Sequence, residues 1–196
     1  MIFSLMILFT IGSDSSSDIS YGEVYLEETG AYQAPLVSTS LGYAFDLNNT
    51  FLNLNSVVGS AQFRLWRYLT TGVMGQWIKS SYTKSGDSLR RLSDTADLVF
   101  DLKLPRWGMF SLSQLHLMIG KWNIMNLTSL EISLIMGAGA GFINYQKRLN
   151  SNESYEISYL WSAEQRIRFN QNFGFSVSFF GHREAVFFQP SLFASF

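Results

Sequence analysis

Two histidines, His116 and His182, are the residues of this sequence best suited to acid–base chemistry. His182 and Glu184 have the types of a general base and of the carboxylate that orients it, as an acyltransferase or a protease would need. His116 is followed by apolar residues and has no such neighbour. Two polar residues in a loop are more often solvated than catalytic, so the sequence predicts no catalytic residue.

The sequence also argues against cofactor and metal chemistry. It contains no cysteine, which excludes disulfides and thiolate metal sites. The run Gly137-Ala-Gly-Ala-Gly141 lacks the spacing of a dinucleotide loop and precedes no helix. We expect these glycines to make room for Arg and Lys side chains across an interior. The net charge of -1 predicts no nucleic-acid binding, and we expect no metal and no cofactor.

The composition indicates how such residues are held. The chain is 47% hydrophobic and 16% aromatic but only 15% charged, whereas globular proteins carry about 25% charged residues. Beyond the N-terminus no window offers the roughly 18 unbroken apolar residues of a spanning helix. High aromatic content, low charge and the lack of a spanning helix together favour a membrane β-barrel.

Alternation at period two supports strands. Within residues 155–168 the odd positions are apolar or aromatic apart from Gln165, and the even positions include four charges. A transmembrane strand needs about 9–11 residues, so this segment is long enough to span. Residues 96–104, 131–145 and 173–180 alternate in the same way.

The direction of the alternation separates two kinds of barrel. A soluble ligand-binding barrel turns its apolar face inward, whereas a membrane barrel turns it outward and gathers aromatic residues at the strand ends. Aromatic residues surround the proposed turns, so we favour the membrane barrel. These residues are Trp66, Tyr68, Trp107, Phe110, Phe169 and Phe173.

We predict an all-β fold, an eight-stranded antiparallel up-and-down transmembrane β-barrel that closes on a C-terminal aromatic strand. The predicted strands are 36–46, 51–64, 68–82, 95–108, 128–146, 154–168, 172–182 and 188–196. An even count puts both ends in the periplasm, with turns at 65–67 and 169–171 and a longer connection at 110–126. The predicted outer loops are 47–50, 83–94, 147–153 and 183–187. In the second strand, Leu52 and Leu54 are out of phase with Val57, which predicts a bulge or a misplaced start.

Charged residues on the inward faces then have a structural role. The interior of an eight-stranded barrel is just wide enough to be filled by side chains, and paired charges avoid a burial cost of several kcal/mol each. We predict a charge network inside the barrel and a packed polar lumen, with a narrow polar channel or a proton relay as alternatives. The network residues are Asp97, Asp101, Lys103, Glu131, Glu156, Glu164, Arg166 and Arg168.

The two ends of the sequence predict export and assembly. Residues 1–17 resemble a secretory signal without a basic n-region, and residues 18–35 form a periplasmic N-terminal segment containing Glu23, Glu27 and Glu28. Residues 36–196 form the barrel. The closing strand ends on an aromatic residue, as outer-membrane barrels commonly do, and we interpret Leu192, Ala194 and Phe196 on its lipid-facing side as the signal for insertion. That side comprises Pro190, Leu192, Ala194 and Phe196, while Ser191, Phe193 and Ser195 point inward.

Two stretches carry a family resemblance. Residues 101–112, DLKLPRWGMFSL, followed by residues 130–141, LEISLIMGAGAG, resemble the outer-membrane β-barrel domain proteins of gliding and predatory deltaproteobacteria. In that family a strand ends in a Pro-x-Tyr-Gly-Lys-Phe-like segment before a strand containing Gly-Ala-Gly; here Trp107 and Met109 replace the Tyr and the Lys. Residues 165–175 resemble the family's penultimate hairpin. The resemblance implies fold and location and brings no catalytic residue.

The sequence therefore predicts an integral protein of the bacterial outer membrane with a structural or scaffolding role in the envelope. The expected partners are outer-membrane lipid, the barrel-insertion machinery and envelope proteins bound through the N-terminal segment or the outer loops. The alternatives are a lipid-modifying enzyme and a small channel. Eight-stranded lipid A deacylases place a catalytic Ser two residues after a His, and neither histidine here has one.

Overall fold

The structure is a computed structural model that describes residues 24–25, 34–96, 103–124, 128–146, 153–170, 172–183 and 185–196. The predicted signal segment 1–17, most of the predicted N-terminal segment, and Asp97 and Asp101 lie outside the described residues.

Strands of alternating burial make up most of the described chain. Each long strand pairs antiparallel with its neighbours in sequence, and the first long strand pairs with the last, so the sheet closes on itself. The predicted eight-stranded up-and-down antiparallel barrel is confirmed. Two elements, the short strand β1 Val24–Tyr25 and the helix α1 Lys84–Ala96, lie outside the barrel wall. The barrel strands are β2 Val37–Asp46, β3 Leu52–Trp66, β4 Leu69–Tyr82, β5 Leu104–Ile124, β6 Thr128–Gln146, β7 Glu153–Arg168, β8 Phe173–His182 and β9 Ala185–Ser195.

The two ends of the barrel differ. At one end, which we call the terminal end, Phe196 exchanges backbone hydrogen bonds with Val37 and the Ala34 N–H donates to the Arg67 carbonyl. The strands that meet at this end are joined by the short connections 67–68, 125–127 and 169–172. At the helix end, three of the four connections are longer, 47–51, 83–103 and 147–152, and 83–103 contains α1. The fourth, 183–184, has only two residues, so the outer loop predicted at 183–187 is wrong. Short turns at one end and mostly longer loops at the other are the pattern of outer-membrane barrels.

The fourth barrel strand differs from the prediction. The strand predicted at 95–108 and the connection predicted at 110–126 are wrong, because α1 ends at Ala96 and β5 runs from Leu104 to Ile124. Both faces of β5 mix polar and apolar residues, so alternation did not reveal the strand. In the described part of the chain, no helix combines the length and the apolar character that crossing a membrane requires.

The helix follows ordinary capping rules. The side-chain oxygen of Thr83 accepts a hydrogen bond from the Gly86 N–H (3.2 Å), three residues into the turn, as an N-cap does. Asp87 lies in the first turn, where the helix dipole favours a carboxylate. The outer loop predicted at 83–94 is therefore largely helical.

The second barrel strand is regular where a bulge was predicted. Leu52 and Leu54 face inward and Val57 outward, and pairing with β4 is continuous from Leu52 to Arg64. The register shift lies between Arg64 and Trp66 instead. The prediction was wrong because it took every apolar position as outward, whereas this part of the interior is itself apolar.

Candidate functional site: a filled lumen inside an apolar belt

The outer face of the barrel carries exposed large apolar side chains on every strand. Ile157 and Tyr159 are each 79% exposed, and all eight barrel strands contribute exposed large hydrophobic side chains. An exposed apolar surface beyond a few hundred Å² marks an interaction surface or a membrane. A soluble ligand-binding barrel has the opposite arrangement. Members of this apolar belt include Leu41, Tyr43, Val57, Phe63, Val73, Trp77, Met109, Leu115, Leu134, Met136, Ile157, Trp161, Phe179 and Leu192.

The belt has the height of a bilayer core. On β7 the outward positions run from Tyr155 near the helix end to Ile167 near the terminal end. A rise of about 3.3 Å per residue at a tilt of about 40° places these positions roughly 30 Å apart along the barrel axis. The apolar band of outer-membrane barrels is about 25 Å tall.

Aromatic residues border the belt at both ends. At the helix end, the rings of Trp107, Phe142 and Tyr155 pack edge to face with centroids 5.6–6.2 Å apart. At the terminal end, exposed aromatic residues are Phe63, Trp66, Phe169, Phe173 and Phe196, and Tyr68 is half-buried. Of the six aromatic residues predicted at strand ends, Phe110 is misplaced, because it is buried inside the barrel.

Apolar side chains predominate in the helix-end half of the lumen, where Ser56 and Ser158 are also buried. We call this cluster the apolar plug; its aromatic centre includes Phe180 and Phe187, whose rings stack with centroids 5.1 Å apart. The prediction of a polar lumen is wrong for this half. The plug consists of Ala44, Leu52, Leu54, Val58, Met74, Ile78, Phe110, Leu112, Ile143, Tyr145, Leu160, Phe180, Ala185 and Phe187.

His182 packs against the apolar plug and does not lie in an outer loop. It is the last residue of β8, and its ring stacks on Phe110 at 6.1 Å between centroids and lies 5.4 Å from Phe187. Among the described residues, neither ring nitrogen of His182 has a hydrogen-bond partner. Glu184, the proposed orienting carboxylate, lies outside the described residues.

The terminal-end half of the lumen is polar and contains a closed triad. Arg166 donates to both carboxylate oxygens of Glu164, from Nε at 2.8 Å and from a terminal nitrogen at 3.1 Å. The amide nitrogen of Gln114 donates to Glu164 (3.2 Å), and its amide oxygen accepts from Arg166 (3.4 Å). Glu164 is 7% exposed and Arg166 is 4% exposed, and the Arg166 guanidinium lies 5.3 Å from the centre of the Phe193 ring. These contacts satisfy both buried charges, as burial of an ion pair requires.

The triad depends on a missing side chain in the strand between its members. Gln114 is on β5 and Glu164 on β7, and Gly137 of β6 lies in between, paired with Gln114 on one side and Ser162 on the other. A Cβ at Gly137 would lie 2.5 Å from the Ser162 hydroxyl and 2.9 Å from Gln114 Cγ. Gly137 therefore leaves the space through which the amide reaches the carboxylate.

The next two inward glycines bring backbones together. A Cβ at Gly139 or Gly141 would lie 2.0 Å from the carbonyl oxygen of Ser111 or Met109, respectively. The prediction that these glycines make room for Arg and Lys side chains is wrong. They allow β6 to approach β5 closely, and only Gly137 makes room for lumen side chains.

The predicted charge network is resolved into separate pairs. Glu164 and Arg166 form one pair, and Arg168 and Glu131, opposite each other on β7 and β6, form a second with 3.0 Å between nitrogen and oxygen. A third pair, Lys103 and Glu156, lies near the helix end, where the side chains are 35% and 27% exposed. Asp97 and Asp101 lie outside the described residues.

Several polar lumen residues were not predicted to lie in the lumen. His116, predicted in a periplasmic connection, is an inward residue of β5 whose charged neighbours are Arg166, Glu164 and Arg168. The sequence pattern did not indicate that Gln114 faces the lumen, because the strand that contains it was not predicted. Further lumen hydrogen bonds are Gln76 to Ser56 (3.0 Å), Ser176 with Ser191 (2.7 Å) and Ser178 to Gln189 (3.2 Å).

The residues predicted as an assembly signal lie along one side of the last strand. Leu192 and Phe196 are exposed and Ala194 is partly exposed, whereas Ser191, Phe193 and Ser195 are buried in the lumen. Phe196 exchanges backbone hydrogen bonds with Val37 of β2, so this position is held in the closed wall. In the described ranges there is no group of three or more His, Asp or Glu side chains arranged to hold a metal ion.

Comparisons with known proteins return structures alone. No protein-family model matches the chain, and no curated protein matches it. The fold is similar to a de novo designed transmembrane β-barrel, with 17% identity, 83% of this chain and 98% of that chain covered and a TM-score of 0.36. It is also similar to Ail, the attachment invasion locus protein of Yersinia pestis, with 16% identity, 81% and 95% covered and a TM-score of 0.34. A structure of Ail with the heparin analogue sucrose octasulfate gives 15% identity, 81% and 96% covered and a TM-score of 0.30. These similarities carry no argument about what this chain does.

Proposed function

We propose that this chain is an integral barrel of the bacterial outer membrane with a filled lumen, and that it is a structural or scaffolding component of the envelope. The observation that carries the proposal is the apolar belt, which exposes large hydrophobic side chains on all eight strands. Water around the belt would leave this surface unfavourably hydrated, whereas lipid tails would cover it. Membrane-spanning barrels with an even number of antiparallel strands are typical of outer membranes.

The filled lumen supports a scaffold over a channel. The apolar plug lies in the helix-end half, and the triad and the neighbouring Arg168–Glu131 pair lie in the terminal-end half. The fully buried side chains include Phe110, Phe180 and Phe187, each at most 1% exposed. This packing of the described residues supports a lumen without a continuous aqueous path for ions, in contrast to wide porins.

The position of His182 supports a scaffold over a lipid-modifying enzyme. A catalytic base acting on lipid must reach a substrate at the outer leaflet. The His182 imidazole is instead buried between Phe110 and Phe187. We therefore assign the binding function to the outer surfaces of the barrel, where lipid, the insertion machinery and envelope proteins would bind. The net charge of -1 favours no nucleic-acid partner.

Cell fractionation tests the location. The protein should sediment with outer membranes, resist extraction by salt or alkali and require detergent for solubility. Recovery in a soluble fraction without detergent would overturn the membrane proposal. A parallel measurement in planar bilayers tests the lumen: the reconstituted protein should show no steady conductance, and large regular openings would exclude the filled interior.

Substitution of each histidine tests the enzyme alternative. His116→Ala and His182→Phe variants should leave the lipid composition of the outer membrane unchanged relative to cells with the unaltered protein. Loss of a lipid or peptide product in either variant, with normal amounts of folded barrel, would replace the scaffold proposal with an enzyme.

A further inference from the structure

Two tryptophans lie side by side on the outer face of the barrel near the helix end. Trp77 of β4 is 73% exposed and is paired with Trp107 of β5. At the terminal end, β4 begins at Leu69, opposite the exposed Trp66. A rise of about 3.3 Å per residue at a tilt of about 40° places Trp77 about 20 Å above Leu69 along the barrel axis. Because the apolar band is about 25 Å tall, Trp77 lies just inside its border, where tryptophan is enriched in membrane proteins.

Two cations lie just beyond the tryptophan pair, on the same two strands. Lys79 is the next outward position of β4, and Arg106 is the residue of β5 before Trp107. Both side chains are exposed, and among the outward strand side chains that the structure describes these two are the charged ones. By the same measure Lys79 lies about 25 Å above the start of β4, at the border of the apolar band. We call Lys79 and Arg106 the cation pair.

The backbones hold the two cations side by side. Pairing of β4 with β5 continues up to Trp77 and Trp107. Beyond that point the Ser80 hydroxyl donates to the Pro105 carbonyl oxygen at 3.1 Å, so the two strands are still adjacent at the height of the cation pair. Neighbouring strands are about 4.8 Å apart, so two long side chains on them can converge on one group.

The charges of the cation pair are not neutralised by the protein around them. Arg106 donates from Nε and from one terminal nitrogen to the amide oxygen of Gln146, which is neutral. A guanidinium has five N–H groups, so this contact orients Arg106 and leaves N–H groups for a further acceptor. In the described part of the chain, no carboxylate lies within ion-pair distance of Lys79 or Arg106.

We propose that the cation pair binds the phosphate monoester of a lipid head group in the outer leaflet, while the tryptophan pair packs against the acyl chains below it. The inference rests on the proposed membrane location. A phosphate monoester carries about −1.5 to −2 charge near pH 7, which two cations match. Arginine offers a planar fork to phosphate oxygens, and lysine offers a point charge.

The position of the cation pair favours a lipid over a dissolved phosphate. Lys79 and Arg106 lie directly above about 20 Å of apolar outer surface on β4 and β5. A phosphate bound there on a lipid brings acyl chains that cover this surface, whereas a dissolved phosphate covers none of it.

Lipid binding to the full chain in micelles of a zwitterionic detergent tests the site. Phosphatidic acid, a phosphate monoester, and phosphatidylcholine, a zwitterion, are titrated separately, and native mass spectrometry counts the lipids that the folded barrel retains. A cation near a membrane surface strengthens the binding of anionic lipid about fivefold. The unaltered protein should therefore bind one phosphatidic acid about 25-fold more tightly than phosphatidylcholine.

Substitutions that remove charge assign the effect to the cation pair. Lys79→Gln and Arg106→Gln should each lower the affinity for phosphatidic acid about fivefold, and together about 25-fold, with the affinity for phosphatidylcholine unchanged. Lys79→Arg keeps the charge and should keep the affinity. The matched control, Lys84→Gln with Arg183→Gln, removes the same charge from exposed positions past the ends of β4 and β8 and should leave the affinity nearly unchanged.

Three results would overturn the proposal: equal affinities for the two lipids, equal losses in the double variant and the control, or displacement of phosphatidic acid by an equal concentration of inorganic phosphate. The gel mobility of unheated samples verifies that each variant is folded, as expected for exposed side chains outside the lumen. Binding is read in micelles and location by cell fractionation, so a lipid preference that is absent from a barrel recovered with outer membranes refutes this inference alone.

Discussion

The buried triad gives the sharpest test of how the lumen is stabilised. Replacing Glu164 with Leu removes the carboxylate that binds Arg166 at 2.8 and 3.1 Å and leaves the guanidinium buried without its counter-charge. Breaking a buried ion pair in this way costs about 3–5 kcal/mol. We therefore expect the free energy of unfolding of Glu164→Leu to fall by about that amount.

Removing the remaining members should restore stability in steps. The double variant Glu164→Leu with Arg166→Met no longer buries a charge, but it leaves the Gln114 amide without two hydrogen bonds, which costs about 1–3 kcal/mol. Adding Gln114→Leu removes that amide as well. Replacing a buried ionic group by apolar residues of similar volume is often neutral or stabilising, so the triple variant should approach the stability of the unaltered protein.

Unfolding by urea in phospholipid vesicles, followed by tryptophan fluorescence and by the gel mobility of unheated samples, measures the series. Glu156→Leu is the matched control, because it breaks the partly exposed pair with Lys103 and should cost at most about 1 kcal/mol. Two results would refute the reasoning: a Glu164→Leu cost no larger than that of the control, or a double variant as unstable as the single one.

Three further predictions concern the space at Gly137, the belt and the plug. Gly137→Ala should lower the free energy of unfolding by about 1–3 kcal/mol, because overpacking moves its lumen neighbours. The control Gly75→Ala, where a Cβ would meet nothing within 4 Å, should change the free energy of unfolding little. Equal effects of the two substitutions would contradict the role of Gly137. Leu41→Lys, at a belt position that is 64% exposed, should lower the free energy of unfolding in vesicles by about 2–4 kcal/mol. The control Leu92→Lys, on α1 at 59% exposure, should leave it almost unchanged. A Leu41→Lys variant as stable as the unaltered protein would argue against lipid around the belt. His182→Phe should leave the free energy of unfolding unchanged or raise it by about 1 kcal/mol, since the imidazole is buried without hydrogen bonds from described residues. A fall of more than about 1 kcal/mol in the same urea assay would reveal a hydrogen-bond partner for the ring.

Local alternation determined much of the barrel. On β7, charges at Glu156, Glu164, Arg166 and Arg168 alternate with aromatic and aliphatic residues, and one strand suffices to tell the two faces apart. The same signal predicted most strand bounds and the outward side of β9. It did not find β5, because Gly108, Phe110, Leu112, Gln114 and His116 on its inner face are no more polar than the residues on its outer face.

Only the closed barrel decided what each inward residue meets. The interior at any height is built from several strands, so a lumen can be apolar at the helix end and polar at the terminal end although one strand, β7, carries most of the inward charge. Gln114 reaches Glu164 because Gly137 lies between them, and the three residues come from three strands. The placement of Lys79 beside Arg106 is likewise set by register between distant segments. Alternation of polar and apolar residues is a property of one strand, whereas these contacts depend on how eight strands are aligned. The sequence alone did not reveal the contacts, because no single segment contains that alignment.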